Sequence, residues 1–88
     1  MLPTTKHPNA VDTAKRLTRG QQDALRAIAF FRRQRKLGTG WLVGDKRLSE
    51  KVVGRLEQLD LVEESFVRGE PLLQLTIVGQ AIEARLLQ

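Results

Sequence analysis

The chain contains no cysteine and no tyrosine, and it has one tryptophan, one methionine and one histidine. Without cysteine there is neither a disulfide staple nor a thiolate metal site. The lone histidine, His7, stands in a proline-bearing N-terminal stretch, where a spacer is expected rather than a catalyst or ligand. Ser49 and Ser65 sit outside any nucleophile-elbow context, no acidic pair resembles a metal site, and no P-loop glycine pattern occurs. We therefore expect neither an enzyme nor a cofactor. Long hydrophobic runs are also missing. No stretch reaches the roughly 18 apolar residues of a membrane span. The N-terminal MLPTTKHPNAVDTAKR lacks the apolar core of a secretory signal. A cytoplasmic protein with no membrane partner is the expectation.

Negative charge is scarce in one part of the chain. Residues 1–55 carry 13 Lys/Arg against 4 Asp/Glu, an excess of nine positive charges. Residues 56–88 carry 2 against 6, an excess of four negative. The net +5 thus hides a basic portion suited to a polyanion. With 88 residues the chain makes one modest domain, and at such lengths only about 60% of the unfolded surface is buried. Residues 1–16, which hold two of the three prolines, are expected to be a flexible tail, with the domain over 17–88.

Thr18-Arg19-Gly20-Gln21 reads as a capping box that opens a helix. Ala24, Leu25, Ile28 and Phe31 share one broad face, while Phe30 falls off it and needs a second contact. Arg32, Arg33, Arg35 and Lys36 are expected in the last turn, where cations suit the helix dipole, with Gly38 as the stop. A second helix is expected over residues 45–59, capped by Asp45, with Leu48, Val52, Leu56 and Leu59 forming one apolar stripe. On its polar side Arg47, Lys51, Gly54, Arg55 and Gln58 line up free of acids, and Glu50 and Glu57 lie elsewhere. Gly54 there serves either core packing or the close approach of a partner. Two short runs around Arg68-Gly69-Glu70-Pro71 read as a β-hairpin. Thr76 then caps a closing helix, with Val78, Ile82 and Leu86 inward.

RLEQLDLVEE followed by LQLTIVGQAIEARL resembles the winged helix-turn-helix domain of MarR-type regulators. Arg55-Leu56-Glu57, Leu61-Val62 and Leu75-Thr76-x-x-Gly79 carry the likeness, and LTRGQQDALRAI resembles the family's first helix opening. The resemblance covers roughly residues 17–86. It implies an α+β, mainly α fold with a two-stranded wing and a recognition helix for the major groove. Four features depart from the pattern. Asp60 replaces the glycine before Leu-Val, the wing has no Asp-x-Arg, and the chain is short for the family's long dimerisation helices. Finally, GTGWLVG stands where a full helix is usual, so that second helix is degenerate, a short turn or strand-like link. Trp41 is expected to plug the core there; the alternative is an exposed ring stacked on a base or seated in a partner.

The function that follows is a small DNA-binding transcriptional regulator with double-stranded DNA as its partner. Lys46, Arg47, Ser49, Lys51 and Arg55 would face the groove, although Arg55 also borders the apolar stripe. Arg32, Arg33, Arg35 and Lys36 would hold phosphates, and Arg68 would act from the wing tip. The alternative is a protein-interaction module, an antiactivator or accessory factor, with a second copy or a larger regulatory protein as partner. The expected core is Leu25, Ile28, Phe31, Trp41, Leu48, Val52, Leu56, Leu59 and Ile82.

Overall fold

A computed structural model describes residues 15–86. The tail expected over 1–16 therefore lies outside the described residues, except for Lys15 and Arg16, which are helical. From Arg19 onward the described residues form an α+β fold, with three helices and two small antiparallel sheets. Helix α1 (Arg19–Phe30) is followed by strands β1 (Gln34–Leu37), β2 (Gly40–Val43) and β3 (Lys46–Ser49). Helix α2 (Glu50–Gln58), the hairpin β4 (Val62–Val67) and β5 (Glu70–Leu75), and helix α3 (Ile77–Leu86) complete the domain.

The capping box at Thr18 forms as expected. Its hydroxyl accepts from the Gln21 amide at 3.1 Å, and the Gln21 side chain accepts from the Thr18 amide at 3.0 Å. The end of α1 does not. Phe31 is already extended, so Arg32, Arg33, Arg35 and Lys36 are not in a last helical turn, and Gly38 is no helix stop. The reason is packing. Past Phe31 no apolar residue occurs until Leu37, so a longer helix would bury nothing. As a strand, the same segment pairs with Gly40–Val43 and lets Trp41 and Val43 reach the interior.

The region expected to be a degenerate second helix is thus the middle of a three-stranded meander, β1-β2-β3. Gly40 explains its own place before Trp41. At φ 153°, a Cβ there would collide with the Leu48 carbonyl of the neighbouring strand. The second expected helix is corrected too. Lys46–Ser49 is strand, and α2 begins at Glu50. The cap is Ser49, not Asp45: its hydroxyl accepts from the Val52 amide at 3.1 Å.

The end of α2 follows a Schellman pattern. Leu61 N–H donates to Leu56 C=O and Asp60 N–H to Glu57 C=O, both at 3.0 Å. Asp60 takes φ 62°, the left-handed conformation that aspartate tolerates better than most residues. The start of α3 then locks onto this turn. Thr76 N–H donates to Leu61 C=O at 3.0 Å, its hydroxyl donates to Asp60 C=O at 2.6 Å, and that hydroxyl accepts from Gly79 N–H at 2.9 Å. A Cβ on Gly79 would collide with the Leu61 carbonyl. The residues that carry the family likeness are therefore a structural clamp between two helix ends.

One core joins every helix and both sheets. Leu25, Ile28, Trp41, Leu56 and Ile82 are buried as expected, and Trp41 is only 4% exposed. Phe31, Leu48, Val52 and Leu59 are only partly buried against that core. In α2, Val53 is the fully buried valine instead of Val52. Val78, expected inward, is 47% exposed, while Leu86 packs on the core. The hairpin turn is Arg68-Gly69 alone, both left-handed as in a type I′ turn, and Glu70-Pro71 belongs to β5.

Candidate nucleic-acid interface

Cross-strand partners in a sheet share a face. In β1-β2-β3 the buried face carries Trp41 and Val43. The register Arg35↔Leu42↔Arg47 puts two exposed arginines on the opposite face, either side of the half-buried Leu42. Arg33, also exposed, is two residues before Arg35. No acid lies on this face of the three strands.

A second cationic surface lies on α2. Successive residues turn by about 100°. With Val53 and Leu56 buried, the outer ridge is Gly54, Gln58, Lys51 and Arg55, and Glu50 and Glu57 fall along the other edge. Arg55 donates to the Gln58 side chain at 3.3 Å and is exposed, so it neither covers the core nor pairs with an acid. Gly54 is informative here. A Cβ built on it meets nothing within 4 Å, so core packing does not require the glycine. The ridge has a shallow notch on its Glu50 side.

Among the expected site residues, the structure keeps Lys51 and Arg55 on a helix and Arg68 at the hairpin turn, and moves most of the others. Lys46 and Arg47 are in β3, and Ser49 has its hydroxyl occupied as a cap. Lys46 lies on the α1 side, beside Asp23. Arg32 and Arg33 are exposed in the link after α1. Lys36 is engaged within the protein: its ammonium meets both Glu64 carboxylate oxygens at 3.1 Å and lies 5.7 Å from the Trp41 ring centroid. Among the described residues this is the single ion pair. Arg68 occupies the exposed hairpin turn. The one basic helix face read from the sequence is therefore two cationic surfaces on different elements.

Gln34 was not legible as important. Its side-chain amide accepts from Leu73 N–H at 2.7 Å and donates to Leu73 C=O at 2.9 Å. It ties β1 to β5 and so sets the sheet arginines relative to the hairpin. Nothing in the sequence signals a partner 39 residues away. No helix among the described residues is long and apolar enough to cross a membrane. No protein-family model matches the chain, and no curated protein or solved structure is significantly similar to it.

Proposed function

We propose that the protein is a small DNA-binding transcriptional regulator that lays α2 in the major groove of duplex DNA. In this reading the domain is a winged helix whose β1-β2-β3 meander takes the place of the second helix, with β4-β5 as the wing. The observation that carries it is the crest of α2. A solvent-facing glycine destabilises a helix by about 1 kcal/mol relative to alanine. Gly54 stands on that ridge with no packing reason, beside Gln58 and Lys51 on one side and Glu50 and Glu57 on the other. Close approach of a groove wall or base edges supplies the missing reason. A helix with its side chains is about 10–12 Å across, which suits the roughly 12 Å width of the major groove.

Lys51 and Gln58 are placed to read base edges, and Arg55 to hold a flanking phosphate. Arg33, Arg35 and Arg47 supply a field that draws the duplex in, whether or not they touch it. Binding selection from random duplexes at physiological salt tests the reading. Titrations in rising salt complement it: about six phosphate contacts give a log–log slope near −5. The Lys51→Glu/Arg55→Glu variant is expected to keep its circular dichroism, weaken binding and flatten the slope by about 2. A flat salt dependence, or equal affinity in the double variant, would remove the proposal. The exposed Phe30 favours a second reading, a protein-interaction module, because DNA recognition gives that ring no role.

A further inference from the structure

Phe30 is 77% exposed at the end of α1, and Phe31 holds its ring edge-on, centroids 4.8 Å apart at 87°. The ring is thus a braced apolar knob. The ring forms part of the wall of an open cleft of about 490 Å³, whose other apolar lining is Ala27, Ala29 and Phe31. Its charged residues are two acids, Asp23 and Glu83, and two bases, Arg26 and Lys46.

We propose that two copies of the chain pair about a twofold axis, each seating its Phe30 in the cleft beside the other's α1. Such a contact needs knob and receptor on one surface, because every residue is used twice in exchanged roles. This patch has both. Its charge points the same way. On a chain of net +5 the cleft is balanced, two acids against two bases. A second copy with the same lining can set its bases against Asp23 and Glu83, which would repel nucleic acid. The area sets the strength. Two phenylalanines bury on the order of 300–500 Å² together, and a lasting interface needs about 1,000 Å² or more. The pair is therefore weak and reversible. This inference does not depend on the DNA-binding proposal.

Sedimentation velocity over a concentration series tests it on the full chain. Wild type is expected to shift toward dimer, and Phe30→Ser to stay monomeric with an unchanged melting curve. Two charge-reversed variants sharpen the test: Asp23→Lys/Glu83→Lys and Arg26→Glu/Lys46→Glu. Each alone is expected to be monomeric, and an equimolar mixture to pair again. Because the chain has no cysteine, Ala29→Cys gives an independent readout, a disulfide-linked dimer on mild oxidation. A wild type monomeric at every concentration overturns the proposal, as does association untouched by Phe30→Ser. So does a monomer whose Phe30→Ser variant melts earlier, since that puts the ring under the chain's own residues.

Discussion

At the scale of the residue, Gly54 separates folding from function. Its Cβ position is open, so Gly54→Ala is expected to stabilise the fold by about 1 kcal/mol. For a domain of this size that raises the melting temperature by about 4–8 °C. Gly54→Leu is expected to fold as well, yet to lose at least about tenfold in DNA affinity, roughly 1.4 kcal/mol, by filling the notch. Melting curves and DNA titrations on the same samples check both. Unchanged affinity in Gly54→Leu would leave the glycine without a role at the interface. Trp41 is the opposite case. Its burial removes it from base stacking and makes it the sheet's anchor in the core.

At the scale of the element, Leu48 shows why residues 45–49 fit a helix pattern yet fall outside α2. It fits the i, i+4, i+8 stripe of a helix and equally the inner face of a strand opposite Trp41. Asp45 and Ser49 are both competent caps by residue type. The choice between them comes from pairing with β2, which lies outside the local pattern. Gln34 shows a further dependence on distant chain. It closes the bare edge of β5 as a strand residue would. Gln34→Leu strands the Leu73 N–H and C=O and is expected to destabilise by about 1–3 kcal/mol. Hydrogen exchange at the Leu73 amide should accelerate in that variant. Protection equal to wild type would show that the bridge is not maintained in solution.

At the scale of the whole molecule, one core cluster takes side chains from every helix and both sheets. The meander should therefore not melt separately from the helices. Trp41, as the only tryptophan, reports on the meander, and far-UV circular dichroism at 222 nm, a conventional helix wavelength, reports on the helices. Denaturant curves from the two probes are expected to coincide, as for a two-state domain. An earlier fluorescence transition would mean the β1-β2-β3 sheet is an independent, weaker unit. The charge asymmetry also changes meaning at this scale. The sequence places most cations before residue 56, but the fold divides them between a sheet face and a helix ridge, and pairs Lys36 with Glu64.

The sequence by itself determined the features that depend on neighbours in the chain. These are the Thr18 capping box, the left-handed Asp60 turn, the Thr76 cap, the hairpin, the buried Trp41 and the place of Phe30 off the apolar face of its helix. Each rests on contacts a few residues apart or on a side chain too apolar, or too misplaced on its helix, to sit elsewhere. The tertiary structure decided where α1 stops, where α2 starts, and which cations share a surface. Those outcomes turn on strand pairing, whose partners are distant in the chain and whose stabilisation appears only once Trp41 and Val43 find the core.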